Sequence, residues 1–187
     1  MEAGRSPGEV KAALKRPFPW GGLGSRFLLM QGTTSSTYLE RAPLGQLISA
    51  TRRRIKQALW AHLAEDSLTP QQFWMLMVIL EHGPHSLHGL AGKLCMDDPT
   101  ASRIVKALMA RGIITSSPDP DHGRRILIQM APRTAEIQKR LRSIARKVRG
   151  TLELGIEDDE KALLRASLMK VIANMDALEA GLRANAS

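Results

Sequence analysis

Between positions 44 and 63 apolar residues return every three or four places: Leu44, Leu47, Ile48, Ile55, Leu59 and Leu63, with Thr51 in step. That spacing gathers them on one face of a helix, and Arg52, Arg53, Arg54 and Lys56 fall between them. A second helix has a well-marked start. Thr69 is placed to cap it, Pro70 takes the first helical position, and Gln72 completes a capping box. Leu68 and Phe73 can staple across the cap, and the run 73–80 is apolar nearly all round, so this helix is expected to be buried until Gly83-Pro84 ends it. A short helix over 87–94 and a turn through Cys95, Met96 and Asp97 follow. Asp98 is then expected to cap a further helix, with Pro99 at its first position and Ile104, Val105 and Leu108 as its buried stripe. Gly112 stands where a left-handed residue closes a helix. Residues 113–116 and 125–130 can extend, and the turn-rich Ser117-Pro-Asp-Pro-Asp-His-Gly between them predicts a hairpin with a polar tip. Two helices, 132–151 and 157–183, close the chain, broken near Gly155 and restarted by the acidic run 157–160.

The predicted fold is mainly α (α+β). A short helix, a turn, a second helix and a β-hairpin make a winged helix-turn-helix, in which the second helix fits the major groove of DNA and the hairpin reaches a neighbouring phosphate ridge or the minor groove. Its DNA-binding part is expected over about 68–131, inside a domain that runs from 42 to 187. Residues 1–41, rich in Gly, Ser, Thr and Pro, show no sustained periodicity and read as a largely mobile extension with one short helix across 10–15.

Composition narrows the compartment and the chemistry. The longest apolar run spans eight residues, 73–80, far too short to cross a bilayer. The start of the chain has no long apolar segment, so no secretory leader is expected. Cys95 is the only cysteine, which excludes an intramolecular disulfide and suits a reducing cytoplasm. The net charge is +9, and it is unevenly spread: residues 103–149 carry twelve Lys/Arg against three Asp/Glu, which equals the whole excess. Focused positive charge suits a polyanion, although a solvated helix face has the same composition. The order of elements favours duplex DNA. Pro99, Thr100 and Ser102 are compact enough to let a helix approach base edges, Arg103 can fork onto guanine O6 and N7, and Lys106 one turn on suits a phosphate. At the hairpin, His122, Arg124 and Arg125 are the candidate contacts.

From 44 to 178 the sequence resembles the MarR (multiple-antibiotic-resistance regulator) family. The resemblance is carried by Leu90-Ala-Gly-Lys-Leu, then Pro99-Thr-Ala-Ser-Arg-Ile-Val and Arg111-Gly-Ile-Ile, and by the wing stretch Asp119-Pro-Asp-His-Gly-Arg-Arg-Ile-Leu-Ile-Gln-Met. It implies an obligate homodimer joined by its first and last helices, about 44–65 and 132–184. It also implies binding to a pseudo-palindromic operator, usually as a repressor, and release by a small aromatic or phenolic compound held between the dimerisation and DNA-binding parts. By position Arg124 falls on the family's wing arginine, which enters the minor groove. The chain departs from the pattern at His122, where relatives carry the Asp that orients that arginine, at Asp98, where they often carry a neutral or basic residue, and at Met130-Ala131, where Leu-Thr is usual.

Near where relatives build their effector pocket, Arg53 and Lys56 can hold an anion, while Trp60, Trp74 and Met77 can line an aromatic site; the same residues also serve as a solvated face and as core without any ligand. Trp74 is followed by Met75 rather than an acid, which disfavours urate. Cys95 has Lys93 as its one obvious cationic neighbour, against Asp97 and Asp98, a poor setting for a reactive thiolate. His82, His85 and His88 are separated by Gly83-Pro84 and match no established zinc spacing, so no metal or cofactor is expected. No nucleophile–base pair or phosphate-cradling glycine loop is visible, and no enzyme is expected. The competing readings are a winged-helix module that has lost specific DNA binding and engages a protein, and an architectural DNA binder without sequence preference.

Overall fold

The computed structural model describes residues 38–185; the extension expected over 1–41, with its short helix, falls outside them as far as position 37. In chain order the elements are α1 (Leu44–Leu63), α2 (Pro70–His82), α3 (Leu87–Lys93), α4 (Asp98–Ala110), β1 (Ile114–Pro118), β2 (Ile126–Met130), α5 (Ala135–Leu152) and α6 (Asp158–Asn185). Helices with one small antiparallel sheet after α3 and α4 make the expected winged helix-turn-helix. No helix among the described residues is long and apolar enough to cross a membrane.

The chain divides into two units, Met1–Arg53 and Arg54–Ser187. In the first, the Tyr38 hydroxyl donates to Gln46 Oε1 at 2.8 Å and the Thr51 hydroxyl to the Leu47 carbonyl at 2.8 Å. Leu44 and Leu47, expected on a buried face, are 57% and 37% exposed. Periodicity finds the apolar face of a helix but not what covers it.

The second unit holds the core. Leu59 and Leu63 at the end of α1, Phe73, Met75 and Leu76 of α2, Leu90 of α3, Leu108 of α4 and Leu141 of α5 are all fully buried. Each such side chain contributes roughly 1.5–3 kcal/mol by leaving water. The start of α2 forms as its sequence dictates: Thr69 Oγ1 accepts from the Gln72 amide at 3.2 Å, and Gln72 Oε1 accepts from the Thr69 amide at 2.9 Å. Leu68 and Phe73, both buried, flank that cap.

Three helices stop in the same way. The amides of Leu68, Met96 and Ile113 donate five residues back to the carbonyls of Leu63, Ala91 and Leu108. Each closure needs a left-handed residue just before it, and these are Ser67 (φ 50°), Cys95 (φ 49°) and Gly112 (φ 65°). Glycine takes that conformation freely; Ser67 and Cys95 adopt it against a steric penalty.

The strands pair with Ile114 opposite Met130 and Pro118 opposite Ile126. β1 begins one residue later than expected because the Ile113 amide is used in closing α4. His85 extends the sheet: its amide donates to Ile128 O at 3.1 Å, and the Ile128 amide donates to His85 O at 2.8 Å. The hairpin is thereby tied to the segment entering α3. α5 turns Leu141 and Ile144 inward. α6 differs in kind, because none of its 28 residues is buried.

Candidate nucleic-acid interface and adjoining cavity

The cap of α4 is Asp97, not Asp98. Asp97 has extended backbone (φ −71°, ψ 152°), and its Oδ1 accepts from the Thr100 amide at 2.6 Å. Two adjacent acids offer the same carboxylate, and the backbone chooses the one still outside the helix. The bond from the Thr100 amide, with the Thr100 hydroxyl second, holds the Asp97 carboxyl below its ordinary pKa. Asp98 becomes the first helical residue, with Pro99 after it, and its carboxylate lies 3.4 Å from His88 Nδ1 on α3.

Helical geometry then sorts the rest of α4. Ala101, Ile104, Val105 and Leu108 are buried, whereas Pro99, Arg103 and Lys106 on the opposite side are exposed and Ser102 beside them is half-buried. Thr100, also half-buried, accepts at its hydroxyl from Arg103 Nη2 at 3.0 Å, which lays the guanidinium along the helix surface. α4 packs against both α3 and β1. At its far end Arg111, part of the stretch that carries the family resemblance, is exposed but tied along the surface: Nη1 donates to Ser67 O at 2.8 Å and Nη2 to Asp66 O at 2.6 Å.

The hairpin tip is organised by Asp119, which is 8% exposed. Its Oδ1 accepts from the Asp121 amide at 3.0 Å, its carbonyl from the His122 amide at 3.3 Å, and its own amide donates to Arg125 O at 2.8 Å. The His122 carbonyl accepts from the Arg125 amide at 2.7 Å, so His122 serves the turn through its backbone and leaves its ring exposed. The two arginines part company here. Arg125 Nε stands 3.9 Å from Asp119 Oδ2, and its Nη2 donates to Ser86 Oγ at 3.3 Å. Arg124 is exposed and has no hydrogen bond or ion pair among the described residues.

A cavity of 210 Å³ opens between α2 and α5. Phe73, Trp74, Met77 and Val78 form one wall, Ala145, Val148 and Leu152 the other, and Ile55 closes the end. Phe73 and Trp74 meet edge to face at 5.2 Å. At the rim Arg149 and Glu81 stand 3.8 Å apart, with Glu153 beside them. Trp74 and Met77, named from the sequence, thus share this cavity, whereas Lys56 and Trp60 are exposed outside its lining and Arg53 is an exposed residue of the Met1–Arg53 unit. Glu81 and Arg149 escaped the sequence reading. The signal was the spacing Leu141, Ala145, Val148, Leu152, which marks a face of α5 flanked by Arg149. Asp119 was named in the wing stretch without a role, although an Asp whose side chain bonds the amide two residues on is a recognisable turn device.

Cys95 is exposed and unbridged. Among the described residues no three His, Cys, Asp or Glu converge on a point where a metal ion could bind.

Residues 68–126, from the cap of α2 through the hairpin tip, match the sequence profile of the MarR family. Over that stretch the chain is similar to the MarR family. Among curated proteins, the HTH-type transcriptional repressor NicR of Pseudomonas putida is 26% identical over 147 residues, covering 75% of this chain and 92% of NicR. Among solved structures, Staphylococcus aureus MepR in its DNA-binding conformation superposes with a TM-score of 0.66 at 20% identity, over 72% of this chain and 99% of MepR. BpsR of Bordetella bronchiseptica gives 0.59 at 21% identity, over 69% and 92%. These two likenesses are of fold. The match over residues 68–126 supports a DNA-binding transcriptional regulator.

Proposed function

We propose that the chain works as a homodimer that binds a pseudo-palindromic operator, represses from it, and lets go when a small aromatic or anionic molecule occupies the α2–α5 cavity. What supports the reading is the set Pro99, Ser102, Arg103 and Lys106 on the outer face of a capped helix, together with the exposed Arg124 on the hairpin that follows. The helix suits the major groove, with Arg103 forked toward guanine and Lys106 on phosphate. Thr100, half-buried, and His122, exposed, complete the candidate set.

The dimer rests on α6. Leu164, Leu168, Val171, Met175, Leu178 and Leu182 recur at alternating intervals of four and three, a heptad seam, and none is buried in the protomer. A second copy of the same seam is the natural cover. A symmetric dimer would present two α4 helices about 34 Å apart, one turn of B-DNA.

The cavity supports the effector. Its apolar walls suit a ring against Trp74 and Phe73, and Arg149 at the rim suits a carboxylate. BpsR, by its description, has its DNA binding regulated by 6-hydroxynicotinic acid, and a heteroaromatic acid of that size has the chemistry this cavity accommodates. The competing reading, a protein-interaction module, draws on Asp98, an exposed acid at the head of α4.

Gel-shift titration against duplex DNA from upstream of the chain's own gene, with excess random competitor, separates the readings. Retention of the specific fragment supports an operator-binding regulator; uniform loss to competitor points to an architectural binder, and no shift to the protein module.

A further inference from the structure

The two arginines of the wing tip are adjacent in sequence and both exposed, yet their surroundings assign them opposite tasks. Asp119 is an almost fully buried acid. One of its oxygens is satisfied by the Asp121 amide. The other, Oδ2, faces the Arg125 guanidinium at 3.9 Å. A carboxylate out of water needs a neighbouring cation, and removing it leaves a buried charge uncompensated. The same guanidinium reaches across to Ser86, whose hydroxyl also accepts from the Gly89 amide at 3.1 Å as the cap of α3. Arg125 therefore joins three pieces: the turn of the wing, strand β2 just after it, and the start of α3, 39 positions earlier in the chain. The backbone pairing of His85 with Ile128 secures the base of the hairpin, and Arg125 secures it nearer the tip.

We propose that Arg125 is a positioning residue that clamps the wing to the helix-turn-helix rather than a DNA contact, which leaves Arg124 as the wing cation available to DNA. His122 enters the turn through its backbone only, and the side chains that order it are those of Asp119 and Arg125. The clamp is a property of the protein alone; the assignment of Arg124 rests on the DNA-binding reading.

The test uses the full chain and four variants: Arg125→Ala, Arg125→Lys, Asp119→Asn and Arg124→Ala. Amide hydrogen exchange over residues 119–126 reports the clamp without DNA. Binding to the upstream duplex over a series of salt concentrations reports the contacts. We expect Arg125→Ala and Arg125→Lys to speed exchange of the Asp121 and His122 amides several-fold, because a single ammonium cannot span Asp119 and Ser86 as the guanidinium fork does. Arg124→Ala should leave exchange unchanged and lower the slope of log K against log salt by about 0.9, as one lost phosphate contact would. Both Arg125 variants should weaken binding with the slope intact, and Asp119→Asn should weaken it in the same way. The proposal is overturned if Arg125→Lys keeps wild-type exchange and affinity while Arg125→Ala loses about one unit of slope. It is equally overturned if Asp119→Asn, by freeing Arg125, tightens binding. If the unaltered chain fails to bind the duplex, the DNA reading falls, and the exchange data still decide the clamp.

Discussion

α4 and α6 are both amphipathic helices, and they spend their apolar faces differently. α4 has 13 residues and buries Ala101, Ile104, Val105 and Leu108 within its own chain, so what it shows outward is Pro99, Ser102, Arg103 and Lys106. α6 has 28 residues and buries none, leaving Leu163, Met169 and Leu182 more than half exposed. A long helix with its apolar seam in water is unstable by itself, since most helix stability in proteins comes from packing that face. The contrast separates two kinds of partner. α4 has already satisfied the hydrophobic effect and offers hydrogen bonds and charge; α6 still has apolar area to bury.

The largest expected effect comes from attacking that difference directly. Leu168→Glu combined with Met175→Glu puts two charges on the seam of α6 and should convert the proposed dimer to a monomer by light scattering. Affinity for a duplex with two half-sites should then fall by about 10²–10⁴-fold, because the second half-site no longer benefits from tethering. Leu108→Ala on the buried face of α4 should act on the fold instead, with a loss of about 2–5 kcal/mol in chemical unfolding. An unchanged mass in the α6 variant would make that helix merely a solvated element and end the comparison.

The same contrast shows what the sequence could convey. Local chemistry was legible: the Thr69–Gln72 box, the Gly112 closure and the proline-rich hairpin turn each depend on residues within a few positions of one another. Four features were not. The choice between Asp97 and Asp98 as cap turns on backbone angles that adjacent identical side chains do not encode. The partnership of Asp119, Arg125 and Ser86 joins positions 39 apart at its widest, and the cavity exists only where α2 packs near α5. The exposure of Leu44 and Leu47 escaped for a further reason: a 3.6-residue repeat looks the same whether the face is covered by its own chain or by another.

A smaller effect sharpens the comparison at the turn leading into α4. Cys95 holds φ 49° to let the Met96 amide close α3, a conformation that an L residue adopts at a cost of roughly 1–2 kcal/mol. Cys95→Gly removes that strain and adds chain entropy to the unfolded state, so the net gain should be at most about 1 kcal/mol. A gain in thermal midpoint, at fixed protein concentration and with DNA affinity retained, marks Cys95 as a turn residue. A loss of operator binding would instead give its thiol a role at the interface.

The smallest effect lies at the cap itself. Because the Thr100 amide stabilises the ionised form of Asp97, its folded pKa lies below the ordinary 3.8. The unfolded chain thus takes up its proton first as pH falls, and the linkage sign follows. The contribution of the carboxylate is complete above the ordinary value and is lost as pH drops from there through the folded one. Asn caps a helix about as well as Asp but does not titrate. Asp97→Asn should therefore resemble the unaltered chain at neutral pH and show a shallower fall in thermal midpoint below about pH 4. Identical acid profiles for the two proteins would mean that the 2.6 Å bond from Thr100 to Asp97 contributes nothing to holding the head of α4 in place, and the orientation of its outward face would have to come from the core residues alone.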